Sequence, residues 1–269
     1  MRFAEHELLA TYDYTSMQPL LIDVGAHRGR VSLVFARKGW RIIAFEPEPE
    51  NRAAFERNLA DFDQVYCSPK AVTDVTGARV PFYVSDEHNG IHALKPFHET
   101  HRLAFDVETV CLNDVLAELG VASVTLLKVD IEGADFLVLK GFDFNKYRPE
   151  LAMTEFMDDR SSRYFGYSHH DVVAYMAERG YGTFVSEWAP ITEYGRTGLG
   201  DSHVWLQCAP YPLDHEPAWG NLIFVPISDI HKFNSTLRIY LGRLKMSQVQ
   251  NRLKELPCAR ALYHLLKGR

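Results

Sequence analysis

Carboxylates close four apolar runs in this 269-residue chain. Residues 20–22 lead into Asp23, residues 42–45 into Glu46, residues 124–129 into Asp130 with Glu132 two positions later, and residues 151–154 into Glu155. An acid in such a place can accept hydrogen bonds from ligand hydroxyls, hold an ammonium group, or take a proton as a general base. Behind Asp23 comes a pair of glycines, Gly25 and Gly29, in the spacing D-x-G-x-x-x-G with His27 between them. Glycine belongs where the backbone must bend sharply or let a ligand come close.

These groups need elements to bring them together. Residues 20–24 read as a strand, 30–38 as its helix closed by Gly39, and 41–45 as a second strand; Pro47 and Pro49 then open a helix through residue 59. A third strand is expected at 64–67. Residues 74–111 break the rhythm and read as a β-rich insertion, with Pro81 confining the 79–85 strand to an edge. The alternation resumes with a helix at 113–119 and an apolar strand at 124–129, of the kind buried on both faces of a parallel sheet. A helix at 135–140, a strand at 150–154 and a helix at 170–179 follow. An antiparallel pair at 181–187 and 203–208 completes about seven strands. In such an α/β sheet ligands bind at the carboxyl ends of the strands. Asp23, Gly25, His27, Gly29, Glu46, Asp130, Glu132 and Glu155 are therefore expected around one cleft.

The ligand can be narrowed. In the dinucleotide fingerprint G-x-G-x-x-G the middle glycine admits a pyrophosphate, and here that position is His27. An acid two residues before the first glycine would repel a diphosphate but suits an amine-bearing ligand, and Glu46 suits the two hydroxyls of a ribose. S-adenosylmethionine carries an ammonium, a sulfonium and a ribose, and no phosphate. Asp130 or Glu132 could hold its ammonium, position an acceptor hydroxyl or deprotonate it, as could Glu155; His88, His92, His169, His170 and His203 are further bases by type. No histidine or further acid lies at metal-site spacing, so no metal is expected.

The segments IDVGAHRG, AFEP and TLLKVDIEGADFLVLKGF followed by RPELAMTEF resemble the FkbM family of S-adenosylmethionine-dependent methyltransferases, across residues 20 to 208. The resemblance implies a Rossmann-like sheet of seven strands, mostly parallel with the last antiparallel. It implies O-methylation of a hydroxyl on a sugar, glycan precursor or other small natural product. It also implies that Asp23, Gly25 and Gly29 line the methionine portion, Glu46 the ribose, and Lys70, Ala71 and Val72 the adenine. The family commonly has asparagine where His27 stands. Two other readings stay open: a nicotinamide-dependent oxidoreductase, and a non-catalytic ligand-binding or membrane-associated assembly protein.

Composition bounds the setting. The chain is 46% hydrophobic and 24% charged, the profile of a soluble globular protein. Four scattered cysteines with no CxxC pair suit reduced thiols, and no leader or spanning segment is read, so a cytoplasmic location is expected. The net charge of -6 divides unevenly. Residues 232–269 hold nine Lys/Arg and one acid, which is +8 and leaves -14 for the rest. An acidic body argues against nucleic acid. Residues 1–210, opening with a helix in 1–19, are expected to form the ligand-binding domain. A proline-containing strap and a basic amphipathic helical tail are expected over 211–269, with Leu237, Leu241, Leu244, Val249, Leu253 and Leu256 as its apolar stripe. That tail suits a homodimer contact or a peripheral membrane contact.

Overall fold

The computed structural model describes residues 2–87, 90–190, 203–215 and 218–255. They divide into two units, Tyr14–Ser228 and a second made of Met1–Asp13 with Asp229–Arg269.

The larger unit is an α/β sheet flanked by helices. Its strands in chain order are β1 (Leu20–Val24), β2 (Arg41–Phe45), β3 (Val65–Ser68), β4 (Ala71–Val72), β5 (Arg79–Ser85), β6 (His101–Val110), β7 (Leu126–Val129), β8 (Leu151–Phe156), β9 (Tyr181–Trp188), β10 (Trp205–Pro210) and β11 (Trp219–Pro226). Eight of them form one sheet in the order β10-β9-β11-β8-β7-β1-β2-β3. The run from β8 to β3 is parallel, β11 is antiparallel to both β8 and β9, and β10 is antiparallel to β9. The mostly parallel α/β sheet is thus as expected, and β1 and β2 have the expected bounds. Every residue of β1 and β7 is buried, as for strands covered on both faces.

Two stretches depart from expectation. The prolines around 209–231 suggested a strap, yet Trp219–Pro226 is a strand deep in the sheet, with Leu222, Ile223, Phe224 and Val225 all fully buried. Pro226 ends this strand and does not interrupt it. Gly220 lets β11 approach β9, because a Cβ there would lie 2.0 Å from the Ser186 carbonyl oxygen. In the insertion, β4, β6 and β5 make a separate sheet in the order β4-β6-β5. Pro81 is on the edge strand β5, as its missing N–H requires. The ten-residue β6 was not anticipated. Its outer half is largely exposed and carries no clean alternation.

In the smaller unit a 26-residue helix, Ile230–Glu255, packs against the helix Glu5–Thr11. Phe3 meets Tyr240 edge-on at 5.6 Å, and the Tyr240 hydroxyl donates to the Ala4 carbonyl at 3.2 Å. Phe233, Leu237, Tyr240 and Leu244 are buried, while Ile239, Met246 and Val249 are exposed. The expected single stripe is therefore two, since Leu237 and Leu244 face inward and Val249 outward. Leu256 and the side chain of Leu253 lie outside the described residues. Among the described residues, no helix is long and apolar enough to cross a membrane.

A core strand and a surface strap respond differently to truncation. Leu222→Ala is expected to cost about 2–5 kcal/mol, and Ile227→Ala, at an exposed position, less than about 0.5 kcal/mol. Urea unfolding of the two variants checks this.

Candidate active site

At the centre of the sheet β1 and β7 pair in register, Asp23 opposite Lys128. Both side chains are buried, and the Lys128 ammonium lies 3.3 Å from Asp23 Oδ1. It also donates to the carbonyls of Val24 at 3.3 Å and Gly25 at 2.8 Å, and stands 3.6 Å from Asp130 Oδ2. Burial alone would push this amine toward its neutral form, but the Asp23 and Asp130 charges outweigh that and raise its pKa. Ser32 closes the other side of Asp23, donating to Oδ2 at 2.7 Å. Asp23 is thus a fully enclosed anchor and does not line the cleft.

The glycine turn is then fixed. Gly25 has φ +74°, and a Cβ there would sit 1.9 Å from the Asp130 carbonyl oxygen. Its tight packing joins the ends of β1 and β7. Gly29, with φ +80°, caps the helix Arg30–Ala36 and packs on Phe55 and Leu59, away from the cleft. His27, at φ +50°, does reach the cleft wall.

The cleft itself has a volume of about 210 Å³ and is lined by Gly25, His27, Glu46, Lys70, Ala71, Val72, Asp130 and Glu132 among others. Of the eleven site residues expected from sequence, these eight come together on its wall. Asp23 and Gly29 stand behind it, and Glu155 lies beside Arg160, across from Glu132. Phe45, Phe82 and Leu94 add apolar lining. Glu46 is buried, with one carboxylate oxygen accepting from the His27 N–H at 2.8 Å and the other from the Glu48 N–H at 2.9 Å. Burial raises its pKa to about 7, against the lowering effect of those two backbone hydrogen bonds. A carboxylate has about four acceptor sites, so two are left for a ligand.

Ligand atoms of Asp130, Glu132 and Glu155 lie within 4.8 Å of one another, close enough to hold a metal ion. The cation standing there is protein. The Arg160 guanidinium is ion-paired with Glu132 and lies 3.6 Å from Glu155. Phe97 covers it, its ring centroid 3.9 Å from the guanidinium carbon. Burial, together with the Asp130 and Asp135 charges, raises the Glu155 pKa well above the ordinary carboxylate range. Glu132 adopts φ +61°, a costly conformation for a residue with a side chain. Buried Asp135 holds the turn by accepting from the Ile131 and Gly133 N–H groups and the Thr154 hydroxyl.

Arg160 also lines a second cavity of about 750 Å³, with Phe97, Tyr164, His169 and Trp219. Glu132 lines the first cavity and its ion-pair partner Arg160 the second. In the second, Asp158 binds His169 through its backbone N–H at 2.8 Å and its Nδ1 at 2.7 Å. Burial acts to raise the Asp158 pKa, but the hydrogen bonds from His169 outweigh it and hold the carboxyl below its ordinary range. His92 lines the first cavity, His170 the second, and His88 lies outside the described residues, as do residues 191–202. Sequence reasoning gave Lys128, Asp158 and Arg160 no role. A lysine inside an apolar strand, and charges just after β8, were the available signals.

The family model of the methyltransferase FkbM domain matches residues 23–182. The chain belongs to the FkbM methyltransferase family. Relatives include methyltransferase sdnD of Sordaria araneosa, 32% identical over 166 residues covering 49% of this chain and 64% of that protein. Methyltransferase 1 of Beauveria bassiana (strain ARSEF 2860) is 31% identical over 146 residues, covering 46% and 58%. The 2-O-methyltransferase NoeI of Sinorhizobium fredii (strain NBRC 101917 / NGR234) is 27% identical over 156 residues, covering 52% and 64%. The matched part thus spans 58% to 64% of the length of these relatives. The sheet of this FkbM domain is the Rossmann-like kind, and the matched region contains both the glycine turn and the acid cluster.

Removing one partner of the Asp23–Lys128 pair strands a charge in the sheet. Lys128→Met is expected to cost about 3–5 kcal/mol, and adding Asp23→Leu to recover much of it. Chemical denaturation of the single and double variants measures both.

Proposed function

We propose that this FkbM domain transfers the methyl group of S-adenosylmethionine to a hydroxyl of a sugar-containing or similar small metabolite. The observation that carries this reading is the donor set of the smaller cleft. Glu46 offers free acceptor sites for ribose hydroxyls in a cleft that also has apolar lining from Phe45, Phe82 and Leu94, with Lys70, Ala71 and Val72 on its wall. Asp130 supplies a carboxylate for the ammonium. The ring of acids is hostile to a diphosphate, which disfavours a nicotinamide cofactor. These residues therefore fit the methyl donor. When bound, S-adenosylmethionine supplies an electrophilic methyl on a sulfonium.

The chain's own work is to hold the acceptor oxygen in line and remove its proton. Arg160, on the wall of the larger cavity, is ion-paired with Glu132 on the wall of the smaller, and in this reading it orients that carboxylate toward the hydroxyl of an acceptor held in the larger one. Glu132 takes the proton in this reading. Glu155, favoured in its protonated form, donates a hydrogen bond that orients the acceptor. A second base is at hand in His169. The Asp158 carboxylate at Nδ1 favours the tautomer whose Nε2 is an acceptor, and among the described residues that Nε2 has no partner. Phe97, Tyr164 and Trp219 offer ring faces to a sugar. The hydroxyl-methylating activity implied by the name 2-O-methyltransferase NoeI supports the same chemistry.

Calorimetry with S-adenosylhomocysteine and with NAD tests the donor. Binding of the first alone is expected; binding of NAD alone, or of neither, overturns the reading. Since the ribose contact needs ionised Glu46, affinity for S-adenosylhomocysteine should rise with pH. The rise is about tenfold from roughly a unit below pH 7 to a unit above, and Glu46→Gln should abolish it.

The acid assignment has its own test. Glu132→Gln should lower methyl transfer from labelled S-adenosylmethionine to an accepted hydroxyl compound by about 10²–10⁴-fold, with donor affinity kept. Full turnover in both Glu132→Gln and Glu155→Gln, with loss in His169→Asn, would move the proton to His169.

A further inference from the structure

The helix Ile230–Glu255 has two apolar faces. Phe233, Leu237, Tyr240 and Leu244 fall within about 60° of one another at 100° per residue and are buried. On the opposite side Ile239, Met246 and Val249 fall within about 80° and are 56%, 61% and 51% exposed. Gly242 lies between them, with open space around its Cα. Exposed basic residues border this outer stripe on both edges, Arg243 on one and Arg238 and Lys245 on the other. Among the described residues none of the three makes an ion pair.

We infer that this outer face docks on an anionic lipid surface. A stripe of large apolar side chains flanked by lysine and arginine is the pattern of a helix lying in the plane of a membrane interface. The apolar residues enter the acyl boundary, and the cations meet the headgroups with their aliphatic stems laid along the apolar surface. The charge supports the direction, because residues 232–269 carry +8 in a chain whose remainder carries -14. A neutral surface would attract only the stripe, which is short; an anionic one adds the attraction of each nearby cation.

The spacing of 239, 242, 246 and 249 also fits the seam of two helices, so a second copy of the chain is the competing occupant. Charge opposes it. Both edges of the seam would bring Arg238, Arg243 and Lys245 against the same cations of the other copy. Gly242 at the centre would contribute no side chain to the seam.

The test uses the full chain and unilamellar vesicles, either phosphatidylcholine alone or phosphatidylcholine with phosphatidylglycerol, read by co-sedimentation. Binding is expected only to the anionic vesicles, and to weaken with added salt. Changing Arg238, Arg243 and Lys245 together to glutamine should lower partitioning on the order of a hundredfold. Changing Ile239, Met246 and Val249 together to serine should also abolish it. All six positions are exposed, so both variants should keep the thermal midpoint of the parent, and S-adenosylhomocysteine binding reports separately on the donor cleft. Failure to bind anionic vesicles overturns the inference, as does equal binding to neutral ones. A dimer in solution that the serine variant dissociates, without vesicle binding, assigns the face to a second copy. Binding to polyglutamate without vesicle binding assigns it to an acidic protein.

Discussion

One buried ammonium sets the geometry of the larger unit. Lys128 sits in the middle of a strand whose neighbours are all apolar, at a place where an unpaired cation would be prohibitive. It is tolerated because the adjacent strand brings Asp23 opposite it and the carbonyls of Val24 and Gly25 within reach. That requirement fixes the register of β1 against β7, since a slip of one residue would turn either group to the other face of the sheet. Gly25 and Asp130 come immediately after the last residues of these two strands. Their contact leaves no space for a side chain at position 25.

The same anchor decides where the chemistry can be. Asp23 spends its charge on Lys128 and Ser32, so it organises the turn from behind and leaves the cleft wall to Glu46 and Asp130. Asp130, Asp135 and Glu155 crowd the ends of β7 and β8; burial, with the repulsion of the neighbouring acids added to it, raises the pKa of both Asp135, to about 6, and Glu155. Arg160 offsets part of this from the helix Asp158–Phe165, entering between Glu132 and Glu155. Acids pressed together in this way destabilise a fold, and such groups persist where they are used. The left-handed Glu132 backbone belongs to the same pattern.

The parts legible in the sequence were those with one dominant signal. β1 is apolar except for Asp23, and β2 is apolar after Arg41 and followed at once by Glu46, so their bounds follow directly. Gly25, His27, Glu46, Asp130 and Glu132 were legible because strand ends converge by topology, whatever the side chains do later, whereas Lys70, Ala71 and Val72 were expected only from the family resemblance. Asp23 and Gly29 could not be told from lining residues, because linear order does not say whether a side chain points into a cleft or back into the sheet. Arg160 was hidden for a related reason: its partners, Glu132 and Glu155, are brought to it by the chain's return through β8. The apolar run of β11 was masked by prolines that bound it, and only the pairing with β8 and β9 shows that they mark its end.

The long helix shows how periodicity can mislead. Leu237, Leu241, Leu244 and Val249 read as a single stripe when only their spacing is counted. A second helix, Glu5–Thr11, selects the face bearing Phe233, Leu237, Tyr240 and Leu244, and the choice is sealed by contacts from Phe3 and Ala4 to Tyr240. Once that face is taken, Ile239, Met246 and Val249 cannot share it, because they stand on the far side of the same cylinder. An outward stripe of this kind adds nothing to the packing of its own unit. Solvation of the helix would be served as well by polar residues at all three positions. Basic residues on both edges give the stripe a sign as well as a hydrophobicity, and together these select an apolar partner with a negatively charged margin.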